Sequence, residues 1–342
     1  MPPGRSKSGK TTMQDIADQM GISKVSVSKA LRGQRGVSEE LRQKIFSTAQ
    51  RMGYGRVSSQ AAYRFAFVVS KHFFLETDAF YSEMYYYFNK ECLAKGYDTT
   101  LMIVNGADEE RGLLPSHLQK EPFDGIAVAG EISDAYLELL GGLKYPMALI
   151  DFESHRLDFH SILTDNYYWG FRAAQYLINH GHKKIGFVGQ PGATNSITDR
   201  YLGYRKALLI HALPWKEEWI IVNNDARSGL YRSDIALPAD MPSAFVCHCD
   251  MAAHYLLSAL AMRDIRCPRD VSVVSFDNTK LAQLNQPPLT SVNIDIRAFA
   301  RQALAALCAA IQEGGRPADA RIYMPAMLVE RDSVAFAGLP RE

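Results

Sequence analysis

The chain has 342 residues, 47% of them hydrophobic, which is too long for one ordinary domain and ample for large buried cores. Its formal net charge is only +1, but residues 1–60 hold eleven Lys or Arg against four Asp or Glu, and the remainder holds twenty-seven against thirty-three. A +7 module on a −6 body indicates a small polyanion-binding domain attached to a larger soluble one. No apolar run reaches the roughly eighteen residues of a membrane span and no secretory signal is visible, so we expect a cytoplasmic protein.

The cysteines are scattered and odd in number, which argues against a disulfide framework. They are Cys92, Cys247, Cys249, Cys267 and Cys308. Two of them flank His248, but neighbouring residues in one strand alternate faces and a fourth ligand is missing. We therefore expect no metal site and no cofactor.

Residues 1–11 look disordered and basic. Gly4 to Thr11 fits the phosphate-loop pattern G-x-x-x-x-G-K-T, but that motif works only where a buried strand delivers the loop to a helix. Here three residues precede it, and two of them are proline. A flexible arm that touches the backbone of a polyanion is the better interpretation.

The stretch from Thr12 to Leu31 predicts two short helices joined by a tight turn. Thr12 can cap the first helix, with Asp15 three residues on as the supporting carboxylate. Gly21 breaks the run, and Ser23 can cap the second helix.

The second of these helices is two-faced, because helical periodicity separates its apolar residues from its polar ones. The apolar side holds Val27, Ala30 and Leu31. The opposite side is cationic and hydroxylated, with Lys24, Val25, Ser28, Lys29 and Arg32. A third predicted helix over residues 38–52 completes a small core and leaves outside a basic helix of the width that enters a major groove. The alternative is an ordinary three-helix scaffold with a solvated basic face.

The run TMQDIADQMGISKVSVSKAL, followed by VSEELRQKI and MGY, closely resembles the headpiece of the lac repressor family of bacterial regulators. The resemblance implies a helix-turn-helix DNA-binding domain over residues 12–53. Its predicted DNA contacts are Thr12, Ser23, Lys24, Val25, Ser28, Lys29, Arg32, Arg35 and Ser38.

Residues 54–64 are the predicted hinge or linker. In the resembled family this connector carries a Pro-Asn pair and a short helix whose leucine wedges into the minor groove. This chain has Gly55 after Tyr54, no Pro-Asn pair and no leucine in the segment. A plain linker and a hinge helix both stay open.

From Phe65 onward, short apolar runs that predict strands alternate with helix-length amphipathic segments. The predicted strands are 65–70, 99–104, 125–130, 147–151, 184–189, 218–222, 244–249 and 271–277. The predicted helices are 80–95, 133–143, 169–180, 200–211 and 250–263. This alternation predicts two doubly wound α/β halves in succession.

The segments TDNYYWGFRAAQYLINHGHKKIGFVG, DRYLGYRKAL, CPRDVSVVSFDN and LVERDSV resemble the effector-binding core of the same family, which is similar to periplasmic sugar-binding proteins. The resemblance implies a two-lobed core over residues 65–338. Lobe 1 is predicted at about 65–163 and 292–322, and lobe 2 at about 164–291 and 323–338. A small ligand is expected in the cleft, at the carboxyl ends of the strands.

Three charged residues are candidate effector contacts. Arg200 opens a predicted helix, where its guanidinium can bind hydroxyls or a carboxylate, and the resemblance gives it that role; the alternative is a surface salt bridge. Asp277 ends a strand and can accept hydrogen bonds from hydroxyls, as the matching aspartate does in the family. Asp151 ends a strand of the other lobe and can face Asp277 across the cleft; the alternative is a loop cap.

Three further residues complete the candidate effector site. Phe80 and Tyr81 can stack on a ligand ring, as the matching aromatics do in relatives; the alternative is core packing. Cys249 stands where relatives commonly carry an asparagine that binds the ligand, and its presence weakens the prediction of a hydroxyl-rich sugar.

Aromatic residues 85–88 cover all faces of their helix, so some rings are exposed unless a partner covers them. In the resembled family this helix lies at the dimer interface, and a homodimer is expected. A two-fold dimer reads inverted half-sites, which predicts a palindromic operator in double-stranded DNA.

The leading hypothesis is a DNA-binding transcriptional repressor of carbohydrate metabolism, controlled by a sugar or sugar derivative in the cleft. One alternative is a solute-binding or enzymatic α/β protein with a helical appendage. Another is a regulator that responds to a nucleobase or a protein corepressor. The chain has no nucleophile elbow and no strand-anchored phosphate loop, so no catalytic residues are assigned and no enzyme is expected.

Overall fold

The computed structural model describes residues 11–31, 36–52, 63–75, 79–223, 231, 234–313 and 321–338. The chain divides into two compact units, Met1–Tyr63 and Arg64–Glu342. Residues 1–10 of the predicted arm, the predicted DNA contacts Arg32 and Arg35, and residues 54–62 of the predicted linker lie outside the described residues. Within the described ranges, no helix is long and apolar enough to cross a membrane.

Three short helices make up the first unit. They are α1 (Met13–Met20), α2 (Lys24–Leu31) and α3 (Glu39–Arg51). The predicted caps are confirmed: Thr12 and Asp15 form a capping box on α1, and the Ser23 hydroxyl accepts a hydrogen bond from the Ser26 N–H at 3.0 Å. The three helices enclose a small apolar core, whose fully buried members are Ile16, Ala17, Val27, Ala30, Ile45 and Ala49.

The turn between α1 and α2 depends on Gly21. Its φ is +65°, in the left-handed region that glycine adopts without a steric penalty, and its N–H donates to the carbonyls of Ala17 and Asp18. The chain therefore ends α1 and enters α2 within three residues, which sets α2 across α1 as a helix-turn-helix requires.

Lobe 1 of the second unit is a six-stranded sheet in the order β2-β1-β3-β4-β5-β11, with every pair parallel. Its strands are β1 (Arg64–Ser70), β2 (Asp98–Val104), β3 (Gly125–Ala129), β4 (Met147–Ile150), β5 (His160–Thr164) and β11 (Arg321–Met324). Its helices are α4 (Lys71–Leu75), α5 (Phe80–Ala94), α6 (Gly106–Glu110), α7 (Ser116–Lys120), α8 (Asp134–Gly141) and α13 (Ile296–Glu313).

Lobe 2 is a second six-stranded sheet in the order β7-β6-β8-β9-β10-β12, parallel except for the β10–β12 pair. Its strands are β6 (Ile185–Val188), β7 (Ile220–Ile221), β8 (Ala244–Cys247), β9 (Ser272–Asp277), β10 (Thr290–Ile294) and β12 (Ala326–Val329). Its helices are α9 (Asn166–Asn179), α10 (Asn195–Ile210), α11 (Asp250–Ala261) and α12 (Lys280–Leu284). The predicted doubly wound α/β architecture is confirmed.

Two predicted elements differ most from the structure. The strand predicted over 218–222 is reduced to Ile220–Ile221, because Glu217–Trp219 forms a 3-10 turn. The helix predicted to open at Arg200 instead begins at Asn195, where the Thr194 hydroxyl accepts a hydrogen bond from the Ile197 N–H at 3.2 Å. The prediction that Arg200 opens the helix is therefore wrong, and Arg200 lies in its second turn.

The strands change lobes at three places. The chain leaves the first sheet after Thr164, returns to it after Ile294, and leaves it again after Met324. Each crossover lies one or two residues after its expected position, which was near residue 163, 292 or 323. The second shift arises because β10 stays paired in lobe 2 through Ile294, which lies opposite Ala326.

Helices α9 and α10 approach each other closely because two glycines lie at their contact. A Cβ on Gly203 would lie 2.0 Å from the Tyr167 carbonyl oxygen, and one on Gly170 would lie 2.2 Å from the Arg200 carbonyl oxygen. The obstructing atoms are backbone and cannot rotate away. The helix that carries Arg200 is thereby held against the helix that follows the first crossover.

The substitution Gly203→Ala should lower the unfolding free energy by about 1–3 kcal/mol or more, since its methyl group overlaps the backbone of α9. Calorimetry should therefore detect a lower unfolding midpoint. The control Gly106→Ala, at a site with no heavy atom within 4 Å, should not lower it. Equal midpoints for the two variants would contradict the close α9–α10 contact.

Candidate functional site

The outward face of α2 carries the predicted DNA-reading side chains. Lys24, Val25 and Lys29 are exposed, with Val25 at 62%, and Ser28 is half-buried. Val27 and Ala30 on the opposite side are fully buried in the headpiece core. The two-faced character predicted from periodicity is confirmed, and it leaves two ammonium groups beside an exposed isopropyl group.

Three of the four hydroxyl residues predicted to contact DNA serve as helix caps in this unit, and the fourth, Ser28, lies inside α2. Thr12 caps α1 and its hydroxyl also donates to Asp15 Oδ2 at 2.8 Å, while Ser23 caps α2. The Ser38 hydroxyl accepts a hydrogen bond from the Leu41 N–H at 3.3 Å. Such N-termini present backbone N–H groups that suit phosphate oxygens.

Arg200 is the charged centre of the core cleft and is only 4% exposed. Its Nε donates to Asn166 Oδ1 at 2.8 Å, and its Nη1 donates to the carbonyl oxygen of His248. Asp277 Oδ1 lies 3.5 Å from Nη1, and the guanidinium carbon lies 4.5 Å above the centre of the Phe276 ring. The surface salt bridge considered from the sequence is therefore not its environment.

Asp151 extends this charged cluster into lobe 1. It follows β4 with a φ of +68°, and its Oδ2 accepts a hydrogen bond from the Tyr81 hydroxyl at 2.8 Å. Its Oδ1 is buried and has no hydrogen-bond partner. Burial raises the pKa of the Asp151 carboxyl, while the attraction of Arg200 and the hydrogen bond from Tyr81 lower it.

The described charges of the cleft thus set two carboxylates, Asp151 and Asp277, against the single guanidinium of Arg200. Burial and the neighbouring Asp151 charge also hold the pKa of the Tyr81 hydroxyl well above its usual value, so Tyr81 stays a donor. A neutral or cationic ligand with hydrogen-bond donors suits this arrangement better than an anion, because an anion would meet uncompensated carboxylates.

His248 follows β8 and was not identified from the sequence as a site residue. Burial, and next the Arg200 charge, lower the pKa of its imidazole to about 3, so the ring is neutral. The Tyr231 ring is stacked on it at 5.9 Å, and the Tyr231 hydroxyl lies 3.1 Å from Cys249 Sγ. Cys249 itself caps α11 by accepting a hydrogen bond from the Ala252 N–H at 3.4 Å.

Aromatic rings form the lobe 1 side of the site. Phe80 begins α5, is 4% exposed, and lies 5.0 Å from the Tyr81 ring. The Tyr81 ring lies 5.3 Å from Phe73, and a Cβ on Gly130 would lie 2.9 Å from the Phe73 ring. Phe80 is largely packed, whereas Tyr81 reaches the charged cluster through its hydroxyl.

Of the predicted effector residues, the structure joins Tyr81, Asp151, Arg200 and Asp277 in one cluster. Cys249 lies beside it, next to His248. Sequence reasoning missed Asn166, the second residue after β5, because no strand was predicted over residues 160–164. Among the described residues, no group of three His, Cys, Asp or Glu side chains is arranged to hold a metal ion.

Two domain families match the chain. Residues 12–56 match the bacterial regulatory proteins, lacI family, and residues 174–334 match the periplasmic binding protein-like domain. The first range covers the helix-turn-helix unit, and the second covers most of lobe 2 together with α13 and β11.

Curated relatives extend the match along the whole chain. The HTH-type transcriptional repressor PurR of Proteus mirabilis is 27% identical over 333 residues, which are 95% of this chain and 97% of that protein. PurR of Actinobacillus pleuropneumoniae is 27% identical over 292 residues, with 82% and 85% covered.

Solved structures share the fold. The lac repressor dimer bound to operator and the anti-inducer ONPF is similar at a TM-score of 0.68, with 20% identity and coverage of 96% of this chain and 100% of that one. The CelR–cellobiose complex is similar at 0.67, with 24% identity and coverage of 94% and 99%.

A basic helix-turn-helix unit joined to a two-lobed α/β core with charged groups between its lobes defines a class of DNA-binding transcriptional regulators. The domain matches and the full-length relatives agree with that class. The chain therefore joins a helix-turn-helix domain of the lacI family of bacterial regulatory proteins to a periplasmic binding protein-like domain.

The substitution Asp151→Asn should stabilise the ligand-free core by about 1 kcal/mol at pH 7, which is roughly 2–4 °C in unfolding midpoint. Because the pKa of the Asp151 carboxyl is raised, ionisation of this group lowers the stability of the folded state. This loss of stability is absent at a pH below the unfolded-state pKa and complete at a pH above the folded-state pKa. The stabilisation should therefore be larger at pH 7 than at pH 4.

The control Asp158→Asn, an exposed carboxylate between β4 and β5, should not shift the midpoint at either pH. A lower midpoint for Asp151→Asn at pH 7 would mean that the ionised carboxylate is a net stabilising partner of Arg200 and Tyr81.

Proposed function

We propose that the chain is a homodimeric transcriptional repressor that binds a palindromic operator and is controlled by a small molecule between the lobes of its core. The observation that carries the proposal is the charged cluster in which Arg200 and Asp277 of lobe 2 meet Asp151 and Tyr81 of lobe 1. A ligand that touches both sets can favour one interlobe angle over another, which is the requirement for control.

The α2 face has the chemistry for base reading. Lys24 and Lys29 can donate to guanine O6 and N7, and Val25 can contact a thymine methyl group. The alternative of a merely solvated basic face is less supported, because residues 12–56 match the bacterial regulatory proteins, lacI family. An operator sequence with G·C and A·T positions read by neighbouring side chains follows from this arrangement.

The dimer is proposed to form on α5 and the edge strand β2. Tyr86 and Leu93 lie seven residues apart on one side of α5 and are 57% and 60% exposed, and Ile103 on β2 is 40% exposed. Exposed apolar side chains aligned along a helix favour a partner that covers them. A two-fold axis through this face relates two headpieces and hence two inverted half-sites.

A neutral sugar or sugar derivative is the proposed effector class. Asp151 and Asp277 can accept hydrogen bonds from hydroxyls, and the similar CelR structure is a cellobiose complex. A nucleobase is the second candidate, because the Tyr81 and Phe73 rings offer a surface on which a flat ring can stack. Cys249 provides a thiol, not an amide, for either ligand.

An enzymatic or solute-binding function is the less supported alternative. The basic headpiece has no part in either role, and the full-length relatives are transcription regulators. A repressor acts on the chromosome, so the proposed site of action is the cytoplasm.

The substitution Lys29→Ala should weaken binding to the operator selected by the purified full-length protein by roughly 1–3 kcal/mol and relax the preference at one base pair per half-site. Binding to systematically varied operators, measured by fluorescence anisotropy at fixed salt, tests this expectation.

The matched control is Lys44→Ala on α3, whose ammonium lies 2.7 Å from Glu40 on the same helix. It should leave the base preference unchanged. If Lys29→Ala weakens all sequences equally, Lys29 contacts phosphate and does not read a base.

The substitution Asp277→Asn should leave operator affinity in the absence of a compound within about threefold of wild type. It should abolish the change in operator affinity that an active compound causes. The threefold limit is strict, because a binding free-energy loss of about 1.4 kcal/mol would already lower the affinity tenfold. The assay is operator binding with a panel of neutral mono- and disaccharides and nucleobases. The exposed carboxylate variant Asp264→Asn should respond like wild type. Loss of operator binding by a folded Asp277→Asn dimer would assign Asp277 to structural coupling and not to ligand binding.

A further inference from the structure

Asn195 of lobe 2 makes a second contact with lobe 1, the interlobe grip, outside the Arg200 cluster. Its backbone N–H donates to Glu131 Oε2 at 2.7 Å, and its Nδ2 donates to the Glu153 carbonyl oxygen at 3.0 Å. Its Oδ1 lies 3.1 Å from Nε2 of His155. One residue of lobe 2 therefore has three hydrogen-bonding partners on two separate loops of lobe 1.

The lobe 1 loop that receives Asn195 is itself held in place. Glu153 is paired with Arg321 of β11. The Ser154 hydroxyl donates to Asp134 Oδ1 at 2.6 Å and accepts a hydrogen bond from the Leu157 N–H at 3.0 Å. Because the loop is preorganised, little conformational entropy is lost when Asn195 docks against it.

Glu131 adds an electrostatic component to the same contact. Its carboxylate lies at the N-terminus of α10, where backbone N–H groups and the helix dipole favour a negative charge, although burial outweighs them and raises the pKa of the Glu131 carboxyl. The bond to the backbone of Asn195 therefore joins lobe 1 to the whole of α10, and not only to one side chain.

The grip also determines where Arg200 lies. Asn195 and Arg200 are five residues apart on α10, and α10 is held rigidly against α9 at Gly170 and Gly203. Fixing the N-terminus of α10 against lobe 1 therefore keeps the guanidinium within electrostatic reach of Asp151.

Another ion pair between the lobes is weak by comparison. Lys280 and Glu83 are 3.9 Å apart, and their side chains are 86% and 39% exposed. Exposed pairs of this kind contribute little to stability.

We propose that Asn195 is a positioning residue that holds the two lobes in the arrangement of this structure through its bonds to Glu131, Glu153 and His155. The strength of this contact sets how strongly the core favours this interlobe arrangement over others, and hence the size of the shift that any effector must supply. The inference rests on the proposed function, in which a cleft ligand controls the headpieces.

The test is hydrogen–deuterium exchange of the full-length protein without DNA or effector. Asn195→Ala retains its own N–H for Glu131 but loses the bonds to Glu153 and His155. Amide exchange in peptides covering residues 153–157 of lobe 1 and 195–201 of lobe 2 should become faster by roughly 5- to 150-fold, the range expected for two lost hydrogen bonds. The control Asn179→Ala, an exposed asparagine at the end of α9, should exchange like wild type.

Two further variants separate the grip from a general structural role. His155→Ala should speed exchange in the same peptides, and adding it to Asn195→Ala should cause less than the product of the two single effects. Glu131→Gln keeps an oxygen acceptor for the α10 N-terminus and should exchange less rapidly than Glu131→Ala.

Unchanged exchange at residues 153–157 in Asn195→Ala would overturn the proposal. Faster exchange that extends through β6 and β8 would also overturn it, because Asn195 would then support the fold of lobe 2. Operator binding is measured separately, so failure of the proposed regulatory function and failure of the interlobe grip give different results.

Discussion

The burial of the Arg200 guanidinium is the constraint on which the core depends. A charge removed from water is strongly unfavourable unless partners surround it, and loss of a partner from such a pair typically costs about 3–5 kcal/mol. Here the partners are Asn166 at the first crossover, the His248 carbonyl at the end of β8, and Asp277 at the end of β9. Asp151 of lobe 1 also lies within its electrostatic reach, so the lobes cannot separate without changing the environment of this charge.

The same region stores backbone strain. Asp151, Asp277 and Asn278 have φ values of +68°, +91° and +52°, which are costly for residues other than glycine and which cluster at functional sites. A buried polar network holds the turn at Asp277 and Asn278. Arg331 donates a hydrogen bond to Asn278 Oδ1 at 2.6 Å, and the Thr279 N–H donates one to Asp250 Oδ2 at 2.7 Å. Rigid strand ends thus hold the carboxylates of Asp151 and Asp277 in place near Arg200.

Helix α13 connects the second crossover between the lobes to the proposed dimer face. Helix α13 begins two residues after β10, directly at the second crossover, and packs against α5. The exposed side chains Tyr86 and Leu93 lie on that same α5. The element that changes lobes therefore supports the face on which the two copies are proposed to meet.

The sequence by itself determined the alternation of strands and helices, the capped helix-turn-helix and the two-faced α2, because periodicity, capping residues and Gly21 act over a few neighbouring positions. It also identified Asp151 and Asp277, since both follow strand ends. It misplaced the start of α10, because the cap at Thr194 was not recognised. Only the tertiary structure decided that Arg200 is buried, that the Tyr81 hydroxyl reaches a carboxylate seventy residues away, and that Asn195 joins the lobes. Those contacts depend on where distant segments meet in space, and no local pattern encodes that.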